Sequence, residues 1–186
     1  MKSSNLVKNS VAVHKDAEEQ VDEALISPPV PYPVFSVHDP KWAKQPFGDS
    51  PHPIESRGSV LCCITSYLSY KGQTLDSLPV TPLSVQDWLL YHEGFTDENE
   101  IDWYALRPFA IEFRGFITGR QTIMRVLQQR KGFVIARVVN LFQGFHFVLA
   151  TGWDDKGLLV IDPVYEDTKR YDWVLVQNAA VFEQVV

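Results

Sequence analysis

The helix-forming and strand-forming stretches of this chain are segregated. Up to about residue 130, apolar residues recur at helical spacing. Beyond it they fall into β-branched and aromatic runs separated by turn residues. Residues 60–70 read as a buried helix closed by Gly72. Residues 84–93 follow Pro82 and carry Val85, Trp88 and Leu89 on one face before Gly94. A short helix is predicted over 102–110, and another over 121–130, where Ile123, Val126 and Leu127 precede Gly132. The predicted strands are 133–139, 145–151, 158–162 and 171–177, with a hairpin turn at Asp154-Asp155-Lys156-Gly157. Helices first and antiparallel strands after define an α+β domain.

Eight of the twelve prolines lie between residues 28 and 53. A stretch so broken forms no continuous helix and is extended or turning. Ahead of it the chain is polar and charged, with a weak helical pattern over 17–26. These features divide the chain into an N-terminal arm, 1–33, suited to binding a protein partner, and a folded domain, 34–186. At 186 residues the chain is long enough for one domain with a substantial core. Its net charge of −6, with no basic block, argues against a nucleic-acid groove or an anionic membrane surface as the main partner. No run approaches the ~20 apolar residues of a membrane span, and Met1-Lys2-Ser3-Ser4-Asn5 lacks the apolar stretch of a secretory signal.

Chemistry-bearing residues are few. Cys62 and Cys63, the only cysteines, are neighbours; in a helix they point apart and form no ordinary disulfide with each other, which fits a reducing compartment. Both lie within the apolar run 60–68, so core packing is the expectation for them. His14, His38, His52 and His92 show no metal-ligand spacing, and Asp97-Glu98-Asn99-Glu100 lacks the glycine and periodicity of a cation loop, so no cofactor or metal is expected. Trp88, Trp103, Tyr104, Trp153 and Trp173 are expected in the core. Three residues form a more pointed set. Ser59 follows Gly58 at the start of the buried helix, where a serine is a favoured cap and can also stand as a nucleophile, two compatible readings. His146 sits in a strand, where alternation puts it with Val148 and Ala150 on one face and Phe147, Leu149 and Thr151 on the other. Asp162 ends a strand ahead of Pro163, a common turn former.

Taken in order, Asp39-Pro40-Lys41-Trp42-Ala43, Gly48-Asp49-Ser50, Gly58-Ser59-Val60-Leu61, Tyr70-Lys71-Gly72, Pro82 with Trp88-Leu89, His146-Phe147-Val148 with Gly152, and Ile161-Asp162-Pro163 resemble papain-like cysteine peptidases of the bacteriocin-processing type. The branch in question is met in bacteria and their phages. The resemblance covers about residues 34–177. It implies a papain-like fold whose central N-terminal helix packs on an antiparallel sheet. It places His146 on the catalytic base, Asp162 on its orienting partner and Ser59 on the nucleophilic cysteine. It also places Val37 where the family carries the glutamine that helps hold the oxyanion.

Two of those four positions depart from the family. A thiol at a helix N-terminus beside an imidazolium ionises readily; a hydroxyl there needs strong general-base help. Valine offers no donor to an oxyanion, and losing one such donor costs ~100–1000-fold in rate. The resemblance thus implies a catalytically inactive, peptidase-like module with a binding or structural role. Its possible ligand is a peptide or peptidoglycan, and by analogy it serves as a component of a phage particle such as its tail. Two alternatives stand beside it. One is an active cysteine peptidase whose nucleophile has been replaced by Ser59. The other is a serine hydrolase using Ser59, His146 and Asp162.

Overall fold

The structure, a computed structural model, describes residues 27–140 and 144–185. Two helices meet at its centre. Helix α1 (Ile54–Arg57) ends at Gly58, and α2 (Ser59–Tyr70) begins at the next residue. Every α2 residue from Val60 to Leu68 is buried, the signature of a helix enclosed in a core rather than lying on one. Leu61, Ile64 and Leu68 are at most 1 % exposed, each such side chain contributing about 1.5–3 kcal/mol relative to exposure. The polar groups in this apolar run are satisfied internally: Thr65 and Ser66 donate their hydroxyls to Leu61 O at 2.8 Å and Cys62 O at 2.9 Å. The helix stops in a Schellman arrangement, with Gly72 N–H donating to Ser69 O and Gln73 N–H to Leu68 O.

A two-residue hairpin, β1 (Thr74–Leu75) and β2 (Leu78–Pro79), leads to α3 (Pro82–Tyr91). That helix starts two residues ahead of the predicted point because Thr81 and Ser84 form a capping box and Pro82 sits at the first helical position. The helix expected over 102–110 is not formed. Asp102 Oδ1 instead accepts the Tyr104 N–H in a local turn, and only a 3₁₀ turn, Arg107–Phe109, follows, ended by Ala110 in the left-handed region at φ 55°.

The rest is a six-stranded sheet with α4 (Arg120–Gln129) between its first two strands in sequence. The strands are β3 (Ile111–Ile117), β4 (Gly132–Asn140), β5 (Gly144–Trp153), β6 (Gly157–Ile161), β7 (Arg170–Asp172) and β8 (Val176–Gln184). They lie in the order β3-β8-β4-β5-β6-β7, with every neighbouring pair antiparallel. The predicted strand over 171–177 is split into β7, a 3₁₀ turn (Trp173–Leu175) and β8, which returns across the sheet to lie between β3 and β4.

The sheet is covered on both faces. On one, α2 packs on Phe133, Ile135, Leu149, Ala180 and Phe182. On the other, Ile123 of α4 meets Val134, Ala136, Val148, Ala150 and Val160. The mixed α+β class predicted by the segregated pattern is therefore the architecture found. Among the described residues, no helix is long and apolar enough to cross a membrane.

Of the arm expected over 1–33, residues 1–26, including the weak helical pattern over 17–26, lie outside the described residues. The remainder runs along the domain: Ser27 bridges to Trp153, Val30 N–H donates to Thr151 O at 3.0 Å, and Tyr32 is buried in the α2 core. Gly152 makes this docking possible. A Cβ there would meet Ser27 O at 2.6 Å, inside any tolerated contact. Gly152→Ala is expected to lift residues 27–30 off β5, costing about 1–3 kcal/mol as overpacking does. The Val30 amide should then exchange with solvent faster while the β4 amides do not. Unchanged protection at Val30 would show that the segment is held from elsewhere.

Candidate functional site

Ser59 opens α2 from a position fixed by sterics. Gly58 holds the cap position, with its N–H on Ile54 O at 2.7 Å. A Cβ on residue 58 would fall 2.6 Å from Ile54 Cγ2 and 2.7 Å from Ile54 O, so glycine permits α1 to run straight into α2. Ser59 is thus the first helical residue and does not cap; the cap reading of its hydroxyl is corrected. Its side chain is half-buried and has no hydrogen-bond partner among the described residues. The helix N-terminus behind it favours negative charge at that point.

His146 lies near the start of β5, and Asp162 directly follows β6. The β5–β6 register pairs Leu149 with Ile161. One step further sets Asp162 beside Val148, which shares a face with His146, so the two polar residues are diagonal neighbours across the pair. The structure joins them: His146 Nε2 lies 2.9 Å from Asp162 Oδ2 and 3.0 Å from Oδ1.

Asp162 is 1 % exposed and is held by three further donors. The backbone N–H groups of Val164 (2.8 Å) and Tyr165 (3.0 Å) reach Oδ1, and the Tyr171 hydroxyl reaches Oδ2 at 2.6 Å. Burial alone would raise its pKa. The hydrogen bonds from His146, Tyr171 and Tyr165, with the attraction of the His146 charge, outweigh it and hold the carboxyl below its ordinary value. An ionised carboxylate only accepts, so Nε2 of His146 carries the proton and Nδ1 is left as the basic nitrogen. Tyr171, buried and beside that carboxylate, has its hydroxyl pushed well above the usual phenol range. The Tyr165 ring stands edge-on to the imidazole, with centroids 5.3 Å apart.

Ser59, His146 and Val37 line one cleft of about 340 Å³, together with Gly58, Arg57 and Tyr165. Asp162 stands behind His146 and is not in the lining. Val37 is itself 1 % exposed and is held by its N–H on Pro163 O at 2.9 Å, which ties the leading segment to the turn that carries Asp162. Arg57 pairs with Glu100 at 2.9 Å, and both residues line the cleft. Cys62 and Cys63 are buried inside α2. Burial pushes the Cys62 thiol up to about 12 and Cys63 well above its ordinary value, and Cys63 Sγ lies 3.9 Å from Phe147 O.

Sequence reasoning missed Tyr171, Tyr165 and the Arg57–Glu100 pair. Tyr171 reaches Asp162 only because β7 pairs with β6 with Leu158 opposite Tyr171, and a three-residue strand carries no periodicity to reveal that. Comparison of the chain with models of known protein families found no match, and comparison with curated proteins found none.

Chemically, the arrangement provides an oriented imidazole with a free basic nitrogen, a helix N-terminus and an accessible hydroxyl, all opening on one cleft. It lacks a hydrogen bond between hydroxyl and imidazole among the described residues, and the side chain at position 37 has no donor.

Proposed function

We propose that this domain is a papain-like peptidase scaffold without catalysis, used as a peptide-binding or structural module. Its ligands are peptides and peptidoglycan. The observation that carries this reading is the meeting of Ser59, Val37 and the His146–Asp162 pair at one cleft. The base and its partner are retained in full geometry, while the two positions that would attack and stabilise carry an unactivated hydroxyl and a methyl surface. A hydroxyl becomes a nucleophile only when a base takes its proton as it attacks, and Ser59 is not engaged by His146. The resemblance to the bacterial and phage branch supports a place in a phage particle, such as its tail, with the N-terminal arm as contact to a protein partner. The docking of residues 27–32 on β5 gives such an arm a fixed point of departure.

The reading is tested with the purified full chain, offered a mixed peptide library and peptidoglycan. Neither is cleaved above background, and binding to the cleft is retained in His146→Ala. Cleavage that disappears in His146→Ala overturns it. The intact His146–Asp162 pair favours a second reading, a serine hydrolase using Ser59, which makes a separate demand: a fluorophosphonate probe must label Ser59 and must fail to do so in His146→Ala. No labelling is expected.

A further inference from the structure

Beside the cleft, and sharing Val60, Glu100, Phe145 and Phe147 with it, lies a second pocket of about 380 Å³. It sits on the sheet face that α2 covers, just beyond the end of that helix. Trp103, Phe116, Phe145 and Phe147 supply its apolar wall. Phe116 and Phe145 are 55 % and 56 % exposed, unusual for rings beside a closed core and consistent with a surface left open for something to cover. Arg137 of β4 lines the same pocket. Cross-strand register places it opposite Phe147 on one side and Asn178 on the other, and its guanidinium stacks on Phe145 with Cζ 3.6 Å from the ring centroid.

Arg137 is electrostatically unfinished. Its Nε is buried and has no hydrogen-bond partner, and no carboxylate pairs with it among the described residues. The acidic residue in the pocket lining, Glu100, is already bonded to Arg57. A stacked guanidinium is fixed in orientation, and its two terminal Nη groups form a pair of parallel donors that a carboxylate accepts end-on.

The geometry points to a carboxylate subsite: Arg137 binds a carboxylate of a peptide lying across Ser59 and His146, while the aromatic wall takes the apolar part of the same residue. This rests on the peptide-cleft reading above and specifies its ligand. The carboxylate is either the chain terminus or an acidic side chain, and the same chemistry serves both.

The full chain, ¹⁵N-labelled, is titrated with three peptides: N-acetyl-Gly-Gly-Phe with a free carboxyl terminus, the same peptide as its C-terminal amide, and N-acetyl-Gly-Glu-Gly amide. At least one carboxylate peptide is expected to bind ~10–100-fold more tightly than the terminal amide, the range for a lost charge-assisted bond, and to move the Arg137 Nε–H signal. The preferred peptide identifies the source. Arg137→Gln abolishes the preference, and Arg137→Lys, which keeps the charge without the fork, recovers only part of it. If terminal amide and carboxylate peptides bind alike, or if Arg137→Gln keeps the preference, the subsite is overturned. Should they still shift Ser59 and His146, the cleft reading survives alone. Shifts at Arg137 without any at Ser59 or His146 leave the subsite standing and sink the cleft reading, and no binding by any of the three overturns both.

Discussion

Asp162→Ala unfolds this protein under conditions where the parent is folded, losing about 3–5 kcal/mol, the scale expected when several buried donors lose their one acceptor. The side chain is fully buried and receives His146 Nε2–H, the Tyr171 hydroxyl and the N–H groups of Val164 and Tyr165. Alanine leaves all four donors without an acceptor. Against a total stability of about 5–15 kcal/mol, the loss is a large share. Asp162→Asn keeps one oxygen for the two backbone donors and is expected to lose less, about 1–3 kcal/mol. The same carboxylate also makes the advantage over Asn pH-dependent. Its pKa in the folded protein lies below the ordinary 3.8, so on acidification the unfolded chain takes up the proton first. The stabilisation is complete above the ordinary carboxylate range and drains away as pH falls through it towards the lower folded value. Urea unfolding of parent and Asp162→Asn at pH 7 and pH 3 checks this: the difference should shrink on acidification. A difference that grows as pH falls, or an Asp162→Ala variant within 1 kcal/mol of the parent at pH 7, would remove Asp162 as the keystone of the site.

What could be read from the sequence depended on whether a residue's role was local. Helix α2 declared itself through an unbroken apolar run ended by Gly72, and β5 and β6 through β-branched runs joined by a turn in which Asp154 Oδ1 accepts the N–H groups of Lys156 and Gly157. Strand β3 was missed because a bulge between Phe113 and Gly115 breaks its alternation. Strand β8 was cut short at Gln177 because its continuation, Ala179-Ala180-Val181-Phe182, is buried on both faces and shows no period of two. The same division runs through the site. Ser59, His146 and Asp162 each sit at an element boundary or in a strong strand, so each could be singled out, and the structure brings Ser59 and His146 to one cleft with Asp162 behind. The Tyr171 bond to Asp162 and the stacking of Arg137 on Phe145 depend on strand pairing across the sheet, which local pattern does not encode.

Placing sulfur at the head of α2 should produce the largest chemical change available to this chain. In the parent the only thiols are Cys62 and Cys63, buried and with Cys62 pushed up to about 12. At neutral pH Cys62 is held as the thiol, whereas an ordinary exposed cysteine is a few per cent thiolate. Iodoacetamide should therefore leave the folded parent unmodified and label Ser59→Cys once, far faster than the buried Cys62 and Cys63. His146→Ala in that background slows labelling by about tenfold, because the imidazolium that favours the thiolate is gone. Hydrolysis is a stricter demand than alkylation, since the tetrahedral intermediate needs a donor for its oxygen. Val37 lines the cleft with Ser59, so Val37→Gln added to Ser59→Cys is expected to raise peptide hydrolysis ~100–1000-fold over Ser59→Cys alone. The stability of the double variant is followed in parallel, because Val37 is buried. Full-rate hydrolysis by Ser59→Cys alone would show that a donor at position 37 is not needed, against the proposed reading of Val37. A Ser59→Cys thiol that alkylates no faster than Cys62 would show that the N-terminus of α2 and His146 do not act on position 59, and the proposed peptidase-like reading of the cleft would have to be abandoned.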